Sequence, residues 1–148
     1  MAGIREDPAF FELLTASYLR LVGQPLVDAG RDAAWLYGDA PFAVLAHDAE
    51  RDPRFVYANR AAQARFEYSW DEFAGLPSRL SAEAPERGER QRLLDAVARN
   101  GFMTGYRGIR VTKTGRRFRL EDGVIWELVE AGGVRRGQAA MFSRWTEL

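Results

Sequence analysis

Residues 55–75, FVYANRAAQARFEYSWDEFAG, predict a short strand followed by two short helices. The first four residues are mostly aromatic or β-branched, which favours an extended strand. Asn59 is a good N-cap for a helix that runs to Phe66, because its side chain accepts hydrogen bonds from free backbone N–H groups. Ser69 and Glu72 have the spacing of a capping box and predict the second helix.

Helical patterns precede this stretch. Asp7 followed by Pro8 is a typical helix start, and apolar residues then recur at three- and four-residue spacing, which predicts an amphipathic helix over residues 8–22. A weaker helical pattern covers residues 26–37, and alternation over residues 42–47 predicts a strand. The apolar stripe of the first helix is wide enough for a homodimer interface, with four candidates: Phe10, Leu14, Tyr18 and Leu21.

The last third of the chain predicts one long helix, residues 85–100, and three strands, residues 105–113, 117–129 and 137–145. The helix has an apolar face formed by Leu93, Leu94 and Val97. The apolar residues of the middle strand all have even numbers, which predicts one shared face unless residues 121–123 form a bulge: Phe118, Leu120, Val124, Trp126 and Leu128.

Together these elements predict an α+β domain built on a single antiparallel sheet of about five strands, with short helices on one face. Residues 1–40 are expected to form an N-terminal helical extension of a domain at residues 41–148. The chain of 148 residues is of ordinary size for a single domain, so the two parts are expected to make one compact unit.

Composition excludes several kinds of chemistry. The chain has no cysteine, which removes disulfides, thiolate nucleophiles, cysteinyl-flavin adducts, iron–sulfur clusters and zinc–thiolate sites. A single histidine removes multi-histidine metal sites, and haem is not expected. The 21 basic and 21 acidic residues leave no net charge, which argues against a nucleic-acid partner and against a polybasic membrane-surface protein.

Charge is distributed unevenly along the chain. Residues 1–74 contain 7 arginines and 12 acids, whereas residues 75–148 contain 14 basic residues and 9 acids. The two halves are therefore expected to pair with each other. The N-terminal residues show neither a signal peptide nor a membrane span, so we expect a cytoplasmic protein.

The order of the elements is the one found in PAS domains, and a set of short motifs resembles the MEKHLA domain family more closely. The resemblance covers about residues 8–146, and it implies a PAS-like fold and a sensory or dimerising module that holds a small organic ligand between its sheet and its short helices. The stretch that is similar to PAS domains in general is residues 57–62 followed by residues 66–75. The motifs that resemble the MEKHLA family are Ala46-His47, residues 76–83, Glu89-Arg90, residues 106–110, residues 115–118, residues 124–126 and residues 137–142.

Candidate ligand-binding residues are the aromatic and polar side chains in and around these motifs: Tyr57, Asn59, Phe66, Arg79, Tyr106, Arg110, Phe118, Trp126 and Gln138. The aromatic rings could line a cavity or simply fill the core. Arginines that converge on one pocket would bind an anion. In the alternative interpretation they form internal ion pairs, in which Arg79, Arg90 and Arg110 pair with Glu72, Glu89 or Glu127.

The leading hypothesis is a non-enzymatic PAS-like sensory, ligand-binding or dimerisation domain of the MEKHLA type with an unknown ligand and no catalytic residues. The first alternative is a small cone-shaped enzyme, an isomerase or hydrolase resembling nuclear transport factor 2, with His47, Asp48 or Glu127 as the acid–base group. The second alternative is a purely protein-binding module, which predicts a packed interior without a cavity.

Overall fold

The computed structural model describes residues 6–84 and 87–148. Pro85 and Glu86, the first residues predicted for the long helix, lie outside this part. The helices are α1 Pro8–Val22, α2 Ala33–Gly38, α3 Arg60–Phe66, α4 Trp70–Phe73 and α5 Arg87–Asn100, with a 3₁₀ turn at Ser78–Ser81. The strands are β1 Ala43–Asp48, β2 Phe55–Ala58, β3 Phe102–Val111, β4 Arg117–Val129, β5 Arg135–Phe142 and β6 Arg144–Glu147.

The strands form one antiparallel sheet in the order β2-β1-β5-β4-β3, and β6 pairs with the first part of β4. The predicted α+β class with a single sheet is confirmed. The predicted last strand is two strands in the structure, because β5 pairs with the second part of β4 and β6 with the first part. The described residues therefore contain six strands where about five were expected.

Local capping explains where the helices begin. Asp7 accepts a hydrogen bond from the backbone N–H of Ala9 at 3.0 Å, and Asn59 accepts one from Ala62 at 3.1 Å. The predicted capping box of Ser69 is present in full. Helix α2 is shorter than predicted, because the side chain of Asp32 caps it at Ala33.

The sheet has two covered faces, which alternate along each strand. On the first, called here the α1 face, Val44 and Ala46 of β1 pack in a cluster with Leu14 and Tyr18 of α1. On the other, called here the α3 face, a second cluster contains Ala43 and Leu45 of β1, Phe66 of α3, Phe73 of α4, and Phe118 and Phe142 of the sheet.

A bulge in β4 moves its apolar residues from one face to the other. Asp122 has a positive φ of 51°, and the pairing of β3 with β4 shifts at this point. Phe118 therefore packs on the α3 face, whereas Trp126 packs on the α1 face. The bulge suggested at residues 121–123 is therefore present, and the even-numbered apolar residues of β4 do not share one face, because one extra residue in a strand reverses the side-chain alternation.

Helix α1 is attached to β4 by specific hydrogen bonds. The indole N–H of Trp126 donates to the backbone carbonyl of Leu14 at 3.2 Å. The hydroxyl of Ser17 donates to the carbonyl of Val129 at 3.1 Å and accepts from the Val129 N–H at 3.0 Å. Two of the residues suggested for a dimer interface, Leu14 and Tyr18, are buried within the chain as a result, and Phe10 and Leu21 are half-buried.

Candidate ligand-binding site

A short segment joins the two edges of the sheet across the α3 face. Pro77 pairs with Arg54 beside β2, and Ala82 pairs with Arg110 on β3. β2 and β3 are at opposite edges of the five-strand path. Five residues of extended chain span at most about 18 Å, so the sheet must curve to bring these edges close together. The curvature creates a hollow on this side.

The hollow is a cavity of about 940 Å³ between the α3 face, the 3₁₀ turn and helix α5. Its apolar lining comes from both sheet and helix: Leu45, Phe55, Leu93, Leu94, Ile109 and Ile125. Its polar lining includes His47, Arg79, Glu83, Tyr106, Arg110 and Gln138. The structure thus brings together four of the nine predicted ligand-binding residues: Arg79, Tyr106, Arg110 and Gln138.

Helix α5 covers the cavity without filling it. Leu94 is 50% exposed, Leu93 is half-buried, and none of the helix residues whose side chains the structure describes is buried. Two residues of the predicted apolar face of this helix line the cavity, so Leu93 and Leu94 are site residues that the sequence analysis missed. The amphipathic pattern was visible, but a pattern does not distinguish a packed face from one beside a cavity.

Tyr106 and Arg110 meet on the floor of the cavity. They lie on the same face of β3 as Gly108, and a Cβ on Gly108 would come within 2.5 Å of the Tyr106 hydroxyl. The absence of a side chain at Gly108 thus allows the tyrosine ring to lie along the strand towards Arg110. The Arg110 guanidinium lies 5.7 Å from the centre of that ring, within the range of a cation–π contact.

His47 and Gln138 are paired neighbours on β1 and β5. His47 Nδ1 lies 2.8 Å from the backbone carbonyl of Asp48. Because a carbonyl oxygen only accepts hydrogen bonds, Nδ1 is the donor in this contact. The Gln138 amide makes no side-chain hydrogen bond with any described residue, which leaves its donors and acceptor for a bound molecule.

The ion pairs differ from those predicted. Arg79 pairs with Asp52 at 3.2 Å. The predicted acceptors are engaged elsewhere: Glu72 pairs with Lys113, Glu89 with Arg92 at 3.8 Å and Glu127 with Arg135 at 2.8 Å. The predicted partners are therefore wrong, and the side chain of Arg90 lies outside the described part. The hydrogen bond from Lys113 lowers the pKa of Glu72 to about 2.

The two halves of the chain pair with each other through a few specific ion pairs rather than along their whole length. Acids of the first half meet bases of the second half in three pairs, Asp52–Arg79, Glu67–Arg116 and Glu72–Lys113. Two of them hold the turn after β3 against the short helices. Most other described ion pairs join residues within the second half, because neighbouring strands bring them together.

The remaining predicted ligand-binding residues lie away from the cavity. Tyr57 and Trp126 pack on the α1 face, where bulky rings fill the space under α1. Phe66 and Phe118 lie 5.3 Å apart in the aromatic cluster of the α3 face. Asn59 is fully buried, and both the oxygen and the nitrogen of its side-chain amide are hydrogen-bonded to backbone groups. Core packing explains the positions of the four aromatic residues, and hydrogen bonds to the backbone explain that of Asn59.

Two known structures show what this architecture resembles. The PAS domain of a protein from Colwellia psychrerythraea has a TM-score of 0.60 at 15% identity, over 78% of this chain and 92% of that one. The light-state dimer of the fungal blue-light photoreceptor Vivid has a TM-score of 0.58 at 20% identity, over 85% and 90% of the two chains. At such low identity the comparison shows the fold alone.

A third structure, an RNA-binding Light-Oxygen-Voltage receptor, has a TM-score of 0.61 at 22% identity over 84% of this chain, which spans only 36% of that longer protein. The fold is that of a PAS-like domain. The family model of the MEKHLA domain matches residues 8–147, and the chain belongs to the MEKHLA domain family. None of the curated proteins matches it. Within the described residues, no helix is long and apolar enough to cross a membrane.

Proposed function

We propose that the protein is a non-enzymatic sensory or ligand-binding domain whose ligand is a small organic molecule held between the sheet and α5. The observation that carries this proposal is the cavity of about 940 Å³, whose lining includes two side chains, Arg110 and Gln138, that form no hydrogen bond or ion pair with any described residue. Ligand sites commonly enclose about 300–1,000 Å³ and combine an apolar lining with a few polar groups. Membership of a PAS-like family supports the same function.

A binding role is favoured over catalysis by the positions of the acid–base candidates. His47 lines the cavity, but Asp48 and Glu127 are not among its lining residues. Asp48 accepts hydrogen bonds from the backbone of Glu50 and Arg54, and Glu127 is paired with Arg135. A lone histidine without a carboxylate to orient it is a weak catalytic group. A purely protein-binding module does not account for the cavity.

The chemistry of the ligand is constrained by composition. Because the chain lacks cysteine, a flavin could not form a thiol adduct here, so we do not propose this photochemistry. The carbon-rich lining suits an organic molecule better than an inorganic ion. A bound chromophore would be visible directly in the absorption spectrum of the purified protein.

Native mass spectrometry with an absorption spectrum tests the proposal. We expect freshly purified protein to carry added mass, or a metabolite from a defined panel to raise its melting temperature. Ala140→Phe should fill the cavity and abolish the added mass or the shift, because Ala140 lies on the cavity wall. Ala98→Phe, on an exposed position outside the lining, is the matched control. Bare chain mass together with no shift from any metabolite would remove the support for a ligand.

We also propose that the domain forms a homodimer through the exposed side of α1. Leu19 is 53% exposed there, and Phe10 and Leu21 keep part of their surface. Removing the whole helix would be a poor test, because Leu14 and Tyr18 belong to the core. Leu19→Glu should instead convert a dimer to a monomer in light scattering, whereas Gln24→Glu, at an exposed position just after α1, is the control. A wild-type monomer would contradict the dimer.

A further inference from the structure

Arg110 differs from the other arginines whose side chains the structure describes. It is partly buried, and its side chain makes neither an ion pair nor a hydrogen bond with any described residue. The other partly buried arginines, Arg65 and Arg119, are paired with Glu147 and Glu121. Taking a guanidinium out of water without a partner is costly, so a partly buried arginine normally has one.

The other arginines in the cavity lining are already committed. Arg79 pairs with Asp52, and Arg107 and Arg119 both pair with Glu121. The lining acid Glu83 is held by Arg117 outside the cavity. None of these acids reaches Arg110. Among the side chains that the structure describes, the cavity lining therefore presents one uncommitted guanidinium with five N–H donors, beside the Tyr106 ring.

We propose, on the basis of the ligand-binding function above, that the ligand is a monocarboxylic acid with an apolar body, and that Arg110 binds its carboxylate. A planar guanidinium matches a carboxylate through two parallel hydrogen bonds. One uncommitted positive charge suits a single negative charge better than a phosphate dianion. The apolar body would lie against Leu45, Ile125, Leu93 and Leu94.

Tyr106 positions Arg110 for this contact. Its ring lies within cation–π range of the guanidinium, a contact that leaves the N–H donors available for a carboxylate. Gly108 is the residue that permits this arrangement. The Gln138 amide, on the same side of the sheet, is available for a second polar group of the ligand.

Each test uses a carboxylic acid and its amide, which have nearly the same shape but differ in charge. The pairs are octanoate with octanamide and indole-3-acetate with indole-3-acetamide. Their affinities are measured by isothermal titration calorimetry at pH 7.5. We expect at least one acid to bind the wild type, and to bind it about 10- to 100-fold more tightly than its amide. Arg110→Gln should reduce the affinity for the acid to that for the amide. Arg144→Gln, an exposed strand arginine outside the cavity lining, should leave both affinities unchanged.

Arg110→Lys keeps the charge and loses the planar fork, so it should retain part of the preference. Far-ultraviolet circular dichroism confirms that each variant is folded. If acid and amide bind equally, or Arg110→Gln keeps the preference, the carboxylate assignment is wrong while a ligand-binding cavity stands. If no probe binds the wild type, the assignment is also wrong, and the native mass measurement with Ala140→Phe decides the broader function separately.

Discussion

Val44 and Asn59 exchange two hydrogen bonds. The Val44 N–H donates to Asn59 Oδ1 at 3.0 Å, and the Asn59 N–H donates to the Val44 carbonyl at 3.0 Å. The same Oδ1 caps α3 through Ala62. The Asn59 amide nitrogen donates to the carbonyls of Leu36 and Phe42 at 3.1 and 2.9 Å. One fully buried side chain thus joins α2, β1 and α3.

Asn59→Asp should destabilise the protein by about 3 kcal/mol or more, because it places a carboxylate against two buried carbonyls and removes two donors. Urea unfolding followed by circular dichroism measures the change. The matched control is Asn100→Asp at the exposed end of α5, which should cost less than about 1 kcal/mol. Equal effects at both positions would contradict the role assigned to Asn59.

Gly137 allows β5 to approach β1 closely. A Cβ on Gly137 would lie 2.0 Å from the backbone carbonyl of His47. Gly137→Ala should therefore force the two strands apart and cost about 3 kcal/mol or more, since backbone cannot yield as a flexible side chain does. Gly132→Ala, where a Cβ meets nothing within 4 Å, is the control for thermal unfolding. A melting temperature unchanged in both variants would contradict this packing.

Tyr57 carries a buried hydroxyl with no hydrogen-bond partner among the described residues. Burial, with a smaller contribution from Tyr37, raises its pKa well above the ordinary value. Tyr57→Phe should therefore leave stability unchanged or increase it by up to about 1 kcal/mol. Tyr37→Phe is the opposite case, because the Tyr37 hydroxyl accepts from Gln63 at 2.8 Å, and it should cost about 1 kcal/mol.

Urea unfolding of both tyrosine variants distinguishes these outcomes. A clear loss of stability in Tyr57→Phe would show that the hydroxyl has a partner, such as an internal water. Tyr57 lies on the α1 face, away from the cavity. The variant should therefore bind any ligand as the wild type does.

Acid should weaken the fold through three glutamates. Glu67 is held chiefly by Thr114 and also by Thr112, and Glu121 chiefly by Thr146 and also by Arg119. These hydrogen bonds lower the pKa of each, as of Glu72, from 4.5 to about 2. Since the folded-state pKa is below the unfolded value, the stabilisation is complete above about pH 4.5 and declines as the pH falls towards 2.

Urea unfolding at pH 6, 4 and 3 measures this dependence. Thr114→Val removes the main hydrogen bond to Glu67 and should flatten the loss of stability between pH 4.5 and 3. Glu12→Gln, on an exposed part of α1, should leave the slope unchanged. Because Glu72 and Glu121 keep their hydrogen bonds in this variant, part of the slope remains; a slope identical to that of the wild type would contradict the role of the Thr114 hydrogen bond.

Capping and alternation were predictable because they depend on neighbouring residues. Asp7, Asn59 and Ser69 begin helices as predicted, since each side chain bonds to backbone two or three residues away. Sequence patterns report only on such neighbouring residues, and this limited the prediction for β4. The bulge at Asp122 depends on how the partner strand aligns, so the change of face at Trp126 could be suspected but not established from the pattern.

The candidate site was predictable only in part. Tyr106, Arg110 and Gln138 stood in recognisable motifs and do line one cavity. Tyr57 and Trp126 were equally prominent, yet they pack on the other face. The same types of aromatic residue occur in cavity linings and in packed cores. Only the arrangement of the strands shows which of the two positions a given ring occupies.

The sequence by itself determined the class of fold, the starts of α1, α3 and α4, the exclusion of thiol chemistry and the family, because these follow from local bonding and from which residues are present. Tertiary structure decided which residues line the cavity together, and which of the lining arginines has no ion-pair partner among the described residues. The physical reason is that both depend on distances between residues far apart in the chain: Ala82 meets Arg110 through sheet curvature, and Glu72 meets Lys113 instead of Arg110.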